Sequence, residues 1–333
     1  MMLPLPTPPF HAAIIQRAGV TDHASAVYRA PQQGLSMLPE ALAFTSPAPL
    51  IDIGANLTHE CYRQDRPEVL IRAAQAGVSA MVLTGIDEPS IAHSIAMIEE
   101  YRDDDRFPLL RATAGLHPHH AEQWTPAFEQ RLRDVMQRDE VVAVGECGLD
   151  YFRHITPRDQ QRRSFEAQLA LAAEYQRPLF LHERDAGPDM LDMLTQWRSD
   201  ITHAVVHCFT GDKKTLFGYL DLDLHIGITG WVCDERRGQH LQPLIREIPH
   251  DRLMIETDCP YLLPRSLPAA PKARRHEPAL LPWISQTLAR LTGEPEAQLA
   301  QRTTDTARAF FGFPDQVTQL PAMARTRPLA RTQ

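Results

Sequence analysis

Eight short apolar runs rich in β-branched residues alternate with longer amphipathic stretches along this chain, and that alternation is the pattern of repeated βα units around a parallel sheet. The runs begin near Leu50 (LIDIG), Ala80 (AMVLTG), Leu110 (LRATAGL), Val141 (VVAVGE), Pro178 (PLFLH), Ala204 (AVVH), Leu224 (LHIGITG) and Leu253 (LMIETD). Between them apolar positions recur at three and four residues, which predicts helices over stretches that include Glu68 to Ala76, Ser90 to Tyr101, Phe128 to Arg138, Arg158 to Tyr175 and Pro278 to Leu291. The spacing leaves room for one helix after each strand. Eight such units predict a closed (β/α)8 TIM barrel, and a chain of 333 residues is long enough to hold one. The competing architecture, an open doubly wound sheet, gathers its ligand near a single topological switch; here polar residues mark many strand ends.

Those polar residues carry the chemistry. Glu146 closes VVAVGE, His182 closes PLFLH, His207 closes AVVH and Asp258 follows LMIET. In a barrel the C-terminal ends of the strands all open on one mouth. Taken singly, each residue has an ordinary structural role: a carboxylate after a strand caps a helix, and a histidine there bonds to backbone. Four carboxylate or imidazole groups converging from separate segments are electrostatically awkward without a cation, and this donor set suits Mn²⁺, Zn²⁺ or Mg²⁺.

The segments around these residues resemble the TatD family of metal-dependent hydrolases. Gly145–Asp150 (GECGLD), His207–Gly211 (HCFTG), Glu256–Leu262 (ETDCPYL) and Gly115–Pro118 (GLHP) match its signatures in order, over roughly Ile51 to Phe313. Two longer stretches, IGITGWVCDERRG from Ile226 and YLLPRSLPAAPKARRHEPA from Tyr261, look like the name-giving branch of the family more than its paralogues. The resemblance implies a Mg²⁺-dependent 3′→5′ exonuclease acting on single-stranded DNA and RNA, with a role in DNA repair or nucleic-acid turnover. It also implies that Glu146, His182, His207 and Asp258 are the metal ligands, the same four that the strand ends single out.

One departure bears on the metal. Many members carry His-x-His at the end of the first strand, whereas this chain has Gly54 and Asn56 there. Without two nitrogen donors a second site is weakened and selection moves toward a hard, oxygen-preferring ion such as Mg²⁺, leaving one or two ions open. A cation so held polarises a phosphoryl oxygen and acidifies water, while Asp258 or Glu146 accepts the water's proton; Asp258 is the favoured base.

The substrate contacts follow from place along the chain. His117 ends the third strand at the same mouth and is expected to donate to a phosphate. Arg184, two residues after His182, brings a fork of donors to the same region. Trp231 follows the seventh strand and Tyr261 the eighth, where their aromatic faces can stack unpaired bases. Arg236 and Arg237, with Lys272, Arg274 and Arg275, lie in the loops after the seventh and eighth strands and are expected to give a phosphate backbone local positive charge. Cys147 and Cys208 neighbour proposed ligands, and strand alternation predicts that both face away from the ion. Asp150 and Asp185 are expected to support ligands or cap.

Composition narrows the rest. A net charge of −8 argues against a protein that coats nucleic acid by bulk electrostatics, though not against a nuclease with local arginines and cations. Five cysteines without a CxxC pair predict reduced thiols, and no apolar run is long enough to span a membrane, so a cytoplasmic protein is expected. Nothing predicts self-association, and a monomer is expected. Residues 1–49, rich in Pro, Ala, Ser and Gln, read as a loosely ordered extension, with Met37 an alternative start; the barrel is expected over 50–313 and a flexible tail over 314–333. Two other functions are weighed. An amidohydrolase or esterase would use the same barrel, but such enzymes commonly bridge metals with a carboxylated lysine, and only Lys213 and Lys214 precede the last loop. A non-catalytic metal or nucleic-acid binder is disfavoured by four retained ligands.

Overall fold

The structure is a computed structural model that describes residues 38–271 and 274–325; they belong to one compact unit that begins at Leu38. Eight strands form a parallel sheet in sequential order: β1 (Leu50–Ala55), β2 (Val78–Leu83), β3 (Leu109–Ala114), β4 (Val141–Asp150), β5 (Leu179–Arg184), β6 (Ala204–Val206), β7 (His225–Ile228) and β8 (Leu253–Ile255). All eight fall on the apolar runs read from the sequence. The sheet closes between β8 and β1 by few backbone contacts. Asp258 donates its N–H to the carbonyl of Gly54 (2.8 Å), Asn56 donates to Cys259 (3.0 Å), and Ala55 bridges Cys259. Side chains complete the closure. Buried Asp52 accepts from both the amide (2.9 Å) and the hydroxyl (2.6 Å) of Thr257.

Helices cover the outside: α1 (Arg66–Gln75), α2 (Glu88–Tyr101), α3 (Pro126–Val135), α4 (Arg158–Tyr175), α5 (Gly187–Trp197), α6 (Lys213–Asp221), α7 (Leu281–Thr292), α8 (Glu296–Phe311) and a last turn, α9 (Ala322–Arg325). Their starts are chemically marked. Asp87 and Ser90 form a reciprocal capping box on α2, and the side chains of Thr125 and Asp212 accept from the first turns of α3 and α6. The expected helix between β7 and β8 is replaced by two 3₁₀ turns, Gly230–Cys233 and Gln242–Glu247. Pro243 and Pro249 each remove a backbone donor from that stretch, and Asp234 draws the amides of Arg236 and Arg237 into a local turn.

Helix α8 seals the lower end of the barrel. It directs Phe310 and Phe311 against Ile51, Ile53, Val82 and Met254 in one buried cluster, and Thr304 donates to the carbonyl of Pro49 (2.7 Å). With that end filled, only the C-terminal ends of the strands open to solvent. Beyond the expected barrel limits, Leu42 is buried, Phe44 packs edge-on against Trp283, and Ser79 bonds the carbonyl of Val317. The other parts of the expected extension and tail, residues 1–37 and 326–333, lie outside the described residues.

Candidate active site

The strand ends surround a hollow of about 680 Å³ lined by His117, Glu146, Asp150, His182, His207 and Asp258, among others. Glu146 lies at its floor, 6% exposed. Its Oε1 faces three imidazoles at once, 2.8 Å from His182 Nδ1, 2.8 Å from His207 Nε2 and 3.3 Å from His117 Nε2. The donor atoms of His117, Glu146 and His182 all lie within 4.8 Å of one another. Behind His182, Asp150 Oδ2 faces its other nitrogen at 3.3 Å and pairs with His119 Nε2 at 2.7 Å. The second oxygen of Asp150 accepts the amides of Phe152 and Arg153, so this carboxylate is fixed before it touches a histidine. On the opposite wall Asn56 donates to Asp258 Oδ1 (2.9 Å).

The charge balance of this cluster is unusual. Desolvation opposes charge on His182 and His207, but carboxylates outweigh it, Asp150 and Glu146 at His182 and Glu146 and Glu256 at His207, and both imidazoles are held above their ordinary range. Burial would raise Glu146, yet His207 and His117 hold it well below the usual carboxylate range. Burial pushes His117 down to about 4. Desolvation at the barrel wall pushes Asp258 up to about 7; His207 opposes the rise while Glu146 and Glu256 add to it. Among the described residues no Lys or Arg side chain bonds to Glu146, Asp150, Glu256 or Asp258. The carboxylates thus face imidazoles and no fixed cation, a donor set that suits a metal ion.

His117, expected at this mouth as a donor to a phosphate, lines the hollow; it is 8% exposed and packs its ring against His119 and His182, within the donor cluster itself. Where strand alternation fails, the backbone explains it. Cys208, expected to face away, lines the hollow. Strand alternation ends there because Cys208 adopts a left-handed backbone (φ 46°), as does Asp258 (φ 51°). Cys147 is fully buried, its Sγ toward the carbonyl of Phe180.

The arginines divide into two groups. Arg184 and Arg237 line the hollow. Arg184 covers the Phe152 ring at 4.1 Å and Arg237 covers the Trp231 ring at 4.4 Å. Arg275, expected to meet substrate, is spent on Asp65 through two bonds of 2.8 and 2.6 Å, on the carbonyl of Cys61 and on the Tyr62 ring. Asp234 pairs with Arg237 at 3.0 Å and with Arg236 at 3.5 Å, Arg274 is exposed, and neither Arg236 nor Arg274 is among the lining residues. Lys272 lies outside the described residues. Tyr261, expected as a second aromatic face, lines the hollow and is 53% exposed; the sequence reading missed Phe152 and Ile155, which are 51% and 59% exposed. The visible signal was a pair of large apolar residues in the otherwise polar segment after β4.

Comparison with known proteins points the same way. Residues 51–312 match the TatD related DNase family. The chain is 46% identical over 262 residues to the 3′-5′ ssDNA/RNA exonuclease TatD of Pectobacterium parmentieri, spanning 79% of this chain and 99% of that protein. Against the exonuclease of the same name from Salmonella typhimurium it is 44% identical, spanning 79% and 98%. The crystal structure of a TatD family hydrolase from Entamoeba histolytica superposes with a TM-score of 0.72 at 25% identity, covering 81% of this chain and 99% of the other. A TatD homologue from Escherichia coli K12 does so with 0.72 at 27% identity, covering 80% and 98%.

Proposed function

From the premise that the chain belongs to the TatD related DNase family of hydrolases, we propose that it removes nucleotides from the 3′ end of single-stranded DNA or RNA with the help of a divalent cation. The observation that carries this reading is Glu146, one buried oxygen of which faces three imidazoles in an open hollow. Glu146, His182, His207 and Asp258 would hold the ion, with His117 beside them; Mg²⁺ is the ion favoured, ahead of Mn²⁺ and Zn²⁺. When bound, the ion supplies positive charge to a phosphoryl oxygen and acidifies attacking water. Asp258, at the wall of the hollow, is the carboxylate favoured to take the proton. Asn56 orients it for that task, and Asp150 holds His182 in register.

The rim suits an unpaired strand. Phe152 under Arg184 and Trp231 under Arg237 give two aromatic faces edged with positive charge, to which bases and phosphates bind with little regard to sequence. Among the described residues no lysine lines the hollow, which counts against an amidohydrolase with a bridging carboxylated lysine. Among the described residues no helix is long and apolar enough to cross a membrane and the five cysteines are free; we place the reaction in the cytoplasm, by a monomer. We take the catalytic unit as residues 38–325, wider than the 50–313 expected, because Leu42 and Val317 are core residues.

The test is a time course on 5′-labelled single-stranded DNA with Mg²⁺, with EDTA, and with Glu146→Ala and His207→Ala. A ladder shortening from the 3′ end one nucleotide at a time, lost with chelator and in both variants, is expected. An oligonucleotide left intact by the wild type in both Mg²⁺ and Mn²⁺ refutes the proposal.

A further inference from the structure

His207 has a carboxylate on each side of its ring. Glu146 faces Nε2. On the far side stands Glu256, which follows β8, is fully buried and takes no part in the reaction proposed above. Its Oε1 accepts the amide of Cys208 (2.6 Å), and its Oε2 lies 3.4 Å from His207 Nδ1. Two glycines on β1 and β7 make the space. A Cβ on Gly54 would collide with Glu256 Oε2, and one on Gly227 would stand 2.6 Å from Oε1 and 3.2 Å from the His207 Cα. The ring of His207 stacks on Phe180, centroids 4.6 Å apart and planes 28° apart, so a contact at Nδ1 fixes the direction of Nε2.

We propose that Glu256 is the positioning residue of the metal centre: lodged in the slot left by Gly54 and Gly227, it accepts the Nδ1 proton of His207 and so presents the Nε2 lone pair to the ion. The inference rests on the metal reading of the site given above. A neutral imidazole has one proton, and the nitrogen that ligates must be the other one; the partner of the first decides which. Glu256 is not itself placed to ligate, because a group bonded at Nδ1 stands on the opposite side of the ring from Nε2. The end of β1 therefore serves β8 twice, Gly54 as room for Glu256 and Asn56 as donor to Asp258. This accounts for the two positions at which the chain departs from His-x-His.

Glu256→Gln discriminates sharply. The amide of Cys208 claims the one remaining oxygen, so the new NH₂ faces Nδ1 and favours a proton on Nε2, which cannot then bind an ion. Titration of the full chain with Mn²⁺, followed by electron paramagnetic resonance without nucleic acid, is expected to show affinity lower by about 10- to 100-fold in Glu256→Gln. Gly54→Ala, whose added methyl meets Glu256 and Phe180 and leaves the carbonyl that Asp258 bonds in place, is expected to weaken binding in the same direction by displacing Oε2. Long-range ¹H–¹⁵N spectra of the wild type with diamagnetic Zn²⁺ are expected to place the His207 proton on Nδ1, whatever the variants do. A proton on Nε2 overturns the proposal, as does Mn²⁺ affinity within twofold of wild type in a folded Glu256→Gln. A wild type that binds neither ion removes the metal reading and this inference with it. Normal metal binding and tautomer without nuclease activity refute only the proposed substrate.

Discussion

Arg72 is the residue whose loss should cost the barrel most for a change outside the hollow. It lies on α1, and its guanidinium forms a two-bond ion pair with Glu277 (2.7 and 2.8 Å), in the loop that leads from β8 to α7. The side chains are 9% and 4% exposed. The pair spans the seam where β8 meets β1, the place with fewest ladder bonds. Removing one partner of a buried pair leaves the other charge desolvated and alone, at about 3–5 kcal/mol. Arg275 stands 3.6 Å from Glu277 and offsets part of that cost, so Arg72→Met is expected at the lower end, about 3 kcal/mol. At roughly 2 °C per kcal/mol for a chain of this size, Tm should fall by about 6 °C. Differential scanning calorimetry with Mg²⁺ present measures it. The double variant Arg72→Met, Glu277→Met removes both charges and should melt above the single one. A single variant within 2 °C of wild type, or a double variant less stable than the single, would refute the reasoning.

Acid should unfold the protein partly through His276, which burial pushes down to about 3 from an ordinary 6.5. The unfolded chain takes up that proton first, so stability is full above pH 6.5 and is lost as pH falls toward 3, by on the order of 3 kcal/mol at pH 4.5. His276→Asn keeps an acceptor for the amide of Glu277 and should flatten the slope of urea-unfolding stability between pH 7 and 4.5; an unchanged slope would count against it. At the rim, Trp231→Ala and Phe152→Ala, each in a Glu146→Ala background that does not turn over, should each weaken single-strand binding by about 1–3 kcal/mol in fluorescence anisotropy. Unaltered affinity in both would remove the stacking role. Arg184→Ala should reduce the slope of log K against log salt by about 0.7, whereas Arg237→Ala and Arg275→Ala should leave it nearly unchanged because those charges are already spent on Asp234 and Asp65.

The fold was legible because burial on both faces writes each strand of a parallel barrel as an apolar run. All six positions of β1 and of β2 are buried. Helices were legible where apolar positions recur at three and four residues, as with the buried Phe165, Leu169 and Ala172 of α4, which has the limits expected. They were less so where the chain breaks its own pattern. Gly218 interrupts α6 because a Cβ there would press on Leu191 of the neighbouring α5, a constraint set by packing and absent from the spacing of α6 itself. Between β7 and β8 the count of residues allowed a helix, and only Pro243 and Pro249 spoke against one.

The site was legible to the extent that strand ends in a barrel must converge, which brought Glu146, His182, His207 and Asp258 to one hollow without any knowledge of distances. The rule reaches no further than the last residue with strand geometry. At Cys208 the backbone turns left-handed and the side chain comes round into the hollow that alternation denied it. The same limit hid Glu256. It lies two residues before Asp258 and two after Met254, which reads as part of a signature, while the reason it can be buried beside His207 lies in Gly54 and Gly227 on two other strands. A glycine in a sequence says that a side chain is missing. What enters the space is decided across the barrel, so the function of such a pair can be argued only once the carboxylate that fills it has been found.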